Sequence, residues 1–124
     1  MEIIETGIEG LIELQPKVFG DSRGFFFESY RESAFKEYGI ETGFVQDNES
    51  FSVKGTLRGL HYQKPPFAQG KLVRVLTGKV LDVVLDIRST SKTFGQHYKV
   101  ILDAEQHNQM YVPPGFAHGF AALE

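Results

Sequence analysis

The chain has 124 residues, enough for one hydrophobic core and too few for two, with 13 basic side chains against 16 acidic ones and a net charge of −3. That balance offers no general attraction for nucleic acid or an anionic membrane, so a phosphate-bearing ligand needs a local basic site. The absence of cysteine excludes disulfides, thiolate catalysis and thiolate zinc sites, and makes a reducing cytoplasm the easiest compartment.

The start, Met1-Glu2-Ile3-Ile4-Glu5, carries acid where a signal peptide carries base, and no apolar run approaches membrane-spanning length. Residues 11–18 and 25–30 read as strands of an opening hairpin around Gly20-Asp21-Ser22-Arg23-Gly24, whose residue types tolerate tight turns. Ser33 as N-cap, Phe35 and Tyr38 one turn apart and a Gly39 stop predict a short helix, the only one. Strands are then expected at 44–48, 56–63, 71–76, 80–88, 96–102, 109–112 and 116–123. Thr77-Gly78-Lys79 reads as a tight hairpin, and Lys64-Pro65-Pro66 must interrupt a ladder because proline has no N–H to donate. With 11 Phe and 5 Tyr to fill a pleated surface, this pattern predicts an all-β sandwich or barrel carrying one short helix over residues 1–124.

The segment Leu57-Arg58-Gly59-Leu60-His61-Tyr62-Gln63 puts a guanidinium, an imidazole and an amide on one strand. Strict alternation sets His61 and Arg58 on opposite faces unless Gly59 hosts a bulge. An imidazole suits proton abstraction near neutral pH; the competing reading is a hydrogen-bonded core histidine. Lys71 and Arg74 fall on opposite faces of the next strand, where either can meet a phosphate or an oxyanion or can sit in solvent. Asp82 and Asp86 share a face with Val84; a carboxylate there can orient His61 or neutralise Lys71, or can be surface acid. Phe116, His118 and Phe120 share a face after the rigid Pro113-Pro114-Gly115 turn, whereas His97 and His107 read as surface residues beside turns. A His-x-His pair followed by Glu would signal a metal; His61-Tyr62-Gln63 stands there instead, so no metal is expected.

Together, the segments at 16–30, 44–48, 57–63, 69–74 and 114–120 resemble, in order, the motifs of the dTDP-4-dehydrorhamnose 3,5-epimerase family. The resemblance implies a cupin-like double-stranded β-helix, a homodimer, and an isomerase acting on dTDP-4-dehydro-6-deoxy-D-glucose without metal or redox cofactor. It implies His61 as base; since a C4 ketone makes the intermediate an enolate, Lys71 and His118 are the candidates for stabilising its oxygen. Substrate contacts fall on Arg23, Phe26, Glu28, Gln46, Asp47, Asn48, Arg58, Lys71 and His118, with Asp82 behind them. The family continues beyond this last strand, so its tyrosine acid, the aspartate partner of its base and a thymine-stacking tyrosine find no counterpart before Glu124. A nucleotide-sugar 3-epimerase, a 3,4-ketoisomerase and a non-catalytic nucleotide-sugar binding domain are the competing readings.

Overall fold

The computed structural model describes residues 1–40, 43–62 and 69–124. Its strands are β1 Glu2–Glu5, β2 Ile12–Gln15, β3 Phe19–Asp21, β4 Gly24–Phe26, β5 Leu57–His61, β6 Lys71–Arg74, β7 Lys79–Asp86, β8 His97–Asp103, β9 Gln109–Val112 and β10 Phe116–Ala122. The helix α1 covers Glu32–Glu37. Two four-stranded antiparallel sheets, ordered β1-β2-β9-β6 and β5-β10-β7-β8, face one another, while among the described residues β3 and β4 pair only with each other.

Alternation sorts side chains between the inside of this barrel and its outside. Leu11, Met110 and Val112 come from or beside one sheet and meet Val84, Leu102 and Phe116 of the other. Full burial of each such side chain is worth about 1.5–3 kcal/mol, so this apolar seam is the main force holding the sheets together. A polar tie crosses the same space: the Tyr98 hydroxyl on β8 donates to Glu13 Oε1 on β2 at 3.0 Å, and Asn108 Nδ2 donates to Glu13 Oε2 at 3.1 Å. Burial, then the Glu13 carboxylate, push the Tyr98 phenol up, which keeps it a donor. On the outer face of β2 and β9, Leu14 and Tyr111 bury Ala34 and Phe35 of α1 with Ile40.

Several expectations change. Pro16 follows β2, which pairs with β1 and β9; the early hairpin is the shorter β3–β4 unit, where Asp21 accepts the Arg23 backbone N–H at 2.8 Å. The acidic start was not expected to be a strand, yet β1 forms the edge of a sheet. Residues 44–48 lie outside regular strands. The segment 77–79 is not a hairpin, because β6 pairs with β9 and β7 with β8 and β10; the chain crosses there from one sheet to the other. The helix is preceded by Arg31, not Ser33, in extended conformation and without a side-chain cap. His107 is half-buried between two phenylalanine rings and not a free surface residue.

The backbones of β5 and β10 approach too closely to admit a side chain between them. A Cβ on Gly119 would lie 2.5 Å from the Arg58 carbonyl oxygen, and one on Gly59 would lie 2.7 Å from Gly119 Cα. Both clashes are with main chain, which cannot swing aside. Gly119→Ala is therefore expected to cost roughly 1–3 kcal/mol of stability, whereas Gly43→Ala, with nothing within 4 Å, should be close to neutral. Urea denaturation of the two variants checks this, and equal midpoints would refute the crossing as a constraint.

Candidate active site

The same crossing shapes the chemistry. His118 stands opposite His61 and Phe120 opposite Arg58, so Gly59 and Leu60 together face the single residue Gly119. This bulge overrides strict alternation and brings Arg58 to the same side of the sheet as His61, opposite to what an unbroken strand would give. Across the sheet, Tyr98, Val84, His118 and His61 form one row over β8, β7, β10 and β5. The row runs from the closed interior, where Val84 is fully buried, to the mouth, where His61 is exposed.

His118 is held from below. Its Nε2 lies 2.6 Å from Asp82 Oδ1, and Asp82 is fully buried. Asp82 thus serves His118 and not His61 or Lys71, as its alternative readings had it. The reason is spacing: Asp82 is opposite Phe120, one strand from His118, whereas His61 lies two strands away, about 10 Å. The other carboxylate oxygen, Oδ2, has no hydrogen-bond partner among the described residues. A buried carboxylate this close favours an N–H on Nε2 and gives any positive charge on the ring a counter-ion.

Lys71 arrives from the other sheet. Its register partner is Val112, on the interior face that also carries Val73 and Met110, so the ammonium is directed toward the barrel; Arg74 takes the outer face, over the Phe27 ring. His61, Lys71 and His118 line one solvent-open cleft, with Tyr62, Gln69, Val112, Gly115 and Phe116 completing its wall. Gln69 does not stand out in the sequence, since an amide beside a glycine carries no signal of its own. Gln63 lies outside the described residues.

The other expected contacts stand elsewhere. Arg58 is exposed on β5. Arg23 forms an ion pair with Asp21 at 2.7 Å and Glu28 one with Arg31 at 3.1 Å, both in solvent. Phe26 is 71% exposed. Gln46, Asp47 and Asn48 are exposed, with Gln46 Nε2 donating to Asn48 Oδ1 at 3.3 Å. Within the described chain these residues do not line the cleft that holds His61. No helix among the described residues is long and apolar enough to cross a membrane.

A family model for dTDP-4-dehydrorhamnose 3,5-epimerase matches residues 5–124. The dTDP-4-dehydrorhamnose 3,5-epimerase of Shigella flexneri is 54% identical over 124 residues, which are 99% of this chain and 68% of that protein. The crystal structure of the Bacillus anthracis enzyme of that name, with TDP and PPi bound, superposes with a TM-score of 0.95 at 48% identity, covering 98% of this chain and 70% of that one. A Legionella pneumophila dTDP-6-deoxy-D-glucose-3,5-epimerase in complex with dTDP-4-keto-L-rhamnose gives 0.94 at 53% identity, covering 99% and 65%. The chain thus spans about two thirds of the length of these relatives.

The start of β10 rests on one further group. Arg88 lies over the Phe116 ring at 4.6 Å, and its Nε and Nη2 donate to Asp86 at 3.0 and 3.1 Å. Gly115, at φ +91°, leaves the room that the Arg88 stem occupies. Arg88 holds the Asp86 carboxyl well below the usual carboxylate range, with Thr93 and Ser91 adding to the effect against the opposing cost of burial. A carboxyl depressed on folding contributes stability that is complete above its unfolded value, near 4, and is lost as pH falls toward its folded value. Arg88→Met should therefore cost most at pH 7 and progressively less below about pH 4. Denaturant melts of wild type and variant across pH test this; a difference independent of pH would contradict it.

Proposed function

The chain belongs to the dTDP-4-dehydrorhamnose 3,5-epimerase family, and on that premise we propose that it epimerises C3 and C5 of dTDP-4-dehydro-6-deoxy-D-glucose to dTDP-4-dehydro-L-rhamnose. The observation that carries this reading is the cleft in which His61 and His118 face one another across a strand pair, with Lys71 entering from the opposite sheet. The C4 ketone acidifies the hydrogens on its two neighbouring carbons. His61 takes one as a proton, the C–H electron pair moves into the carbonyl, and an enolate forms. Lys71 and the Asp82-supported His118 face the developing oxyanion, where one preorganised donor is worth about 3–4 kcal/mol. A proton delivered to the opposite face completes the inversion. Hydrogen leaves and returns as a proton, so the step is redox-neutral and calls for no redox cofactor.

The sugar ring belongs in this cleft, where its reacting carbons would meet His61. The nucleotide half then belongs outside it, where Arg58 and Arg23 offer guanidinium forks for the diphosphate and Phe26 a face for the base. Glu28, Gln46, Asp47 and Asn48 supply the remaining polar contacts. These residues do not meet the cleft within one chain, which favours a homodimer in which a second copy contributes some of them. Two features support that reading: β5 is an edge strand, and the β3–β4 arm pairs with no other strand, while Phe19, Phe25, Phe26, Phe51 and Leu57 are exposed around them. A cysteine-free, net-acidic chain handling a small nucleotide sugar suits the cytoplasm.

His61→Asn is expected to abolish solvent-deuterium incorporation at C5 and C3 while dTDP binding stays within a few fold. Exchange persisting in that variant would remove His61 as the base; incorporation by wild type at C3 alone would make the protein a single-centre epimerase. Light scattering at micromolar concentration should report twice the chain mass, and a monodisperse monomer would count against the shared site.

A further inference from the structure

We propose that His107 is a positioning residue for nucleotide recognition, pinning the β3–β4 arm to the barrel. This rests on the reading above, in which the arm's Arg23, Phe26 and Glu28 meet the nucleotide. The arm forms no ladder with either large sheet. Its attachment is through side chains: the His107 ring sits between Phe25 and Phe27, with centroids 4.5 and 4.6 Å away. Arg74 caps the far side of this stack over Phe27 at 5.8 Å. At the foot of the arm, Gln15 Nε2 donates to the Gln106 carbonyl at 2.7 Å, in the same turn.

That turn is a firm support. Asn108 Oδ1 accepts the Asp103 N–H at 3.0 Å and Asn108 Nδ2 donates to the Ile101 carbonyl at 2.9 Å, while the Glu105 N–H reaches Asp103 Oδ1 at 2.9 Å. His107 itself holds φ +61°, a left-handed conformation that a non-glycine residue adopts at a cost. Alternation then follows: with Phe25 and Phe27 turned onto His107, Phe26 between them is turned out and exposed. The ring at position 107 therefore sets the height and tilt of the arm's outward face. Residues of the cleft lie on or beside β5, β6, β9 and β10; Val112 is at the far end of β9 from His107, and the ring contacts of His107 are with Phe25 and Phe27, neither of which lines the cleft.

The positional strain makes a clean test possible. His107→Gly removes the ring and relieves the left-handed strain, so the fold has no reason to suffer locally; His107→Phe keeps the strain and restores a ring. Titration calorimetry with dTDP should give binding about tenfold weaker for the glycine variant and within about threefold of wild type for phenylalanine. Deuterium exchange at saturating substrate should stay within about twofold in both, since the cleft is untouched. Binding unchanged in the glycine variant, or saturated exchange falling in step with affinity, overturns the inference. Wild type that fails to bind dTDP overturns the functional reading itself, and the inference with it.

Discussion

The arrangement of the cleft depends on a steric constraint with no polar content: two glycines, on β5 and β10, where the backbones come too close for a side chain on either. Because Gly59 and Leu60 face Gly119 alone, the ladder takes in one extra residue and resumes with His61 opposite His118. Without that extra residue His61 and Arg58 would fall on opposite faces, since the side-chain period of a strand is two. The His61 imidazole, its neighbour His118 and the Arg58 guanidinium share a side because the bulge is there.

Around that crossing the barrel divides its labour by depth. The inner part of the cross-sheet row is carried by fully buried Val84 and by the half-buried Tyr98 tied to Glu13, which hold the sheets together, and the open end by His61. Between them lies Asp82, a carboxylate with one oxygen on His118 and the other without a partner among the described residues. Burying a carboxylate costs stability unless its charge is met, and stability alone would favour an apolar residue at that position. A residue that weakens the fold and steadies an imidazole has its rationale in chemistry.

Much of this was legible in the sequence because period-two patterns report faces directly. The strand at Gln109–Val112 was read with its observed ends, and Asp82, Val84 and Asp86 were rightly set on one face. Lys71 and Arg74 do part to opposite faces as alternation requires. What stayed hidden was non-local. A short Thr-Gly-Lys turn has the same composition whether it closes a hairpin or carries the chain between sheets. The partner of a buried aspartate depends on strand order, which local pattern does not encode. Residues 44–48 begin on two apolar side chains, as a strand can, yet among the described residues no strand offers them a ladder. His107 looked like a turn residue, and nothing in its neighbours announced that Phe25 and Phe27, some eighty positions earlier, would close on it.

The location of β5 in its sheet has one more consequence. It is the outermost strand, bonded within the described chain along one side only, and its far side carries bare amide and carbonyl groups. Opening free energies in a folded protein are lower where fewer bonds must break, so His61 rides on a strand that frays at less cost than the inner strands β10 and β7. A neighbour laid along that margin would double its ladder and stiffen the strand that carries His61 without touching the imidazole. Occupancy of the edge would then govern how long the imidazole keeps its aim, and the precision of the chemistry would rise and fall with protein concentration.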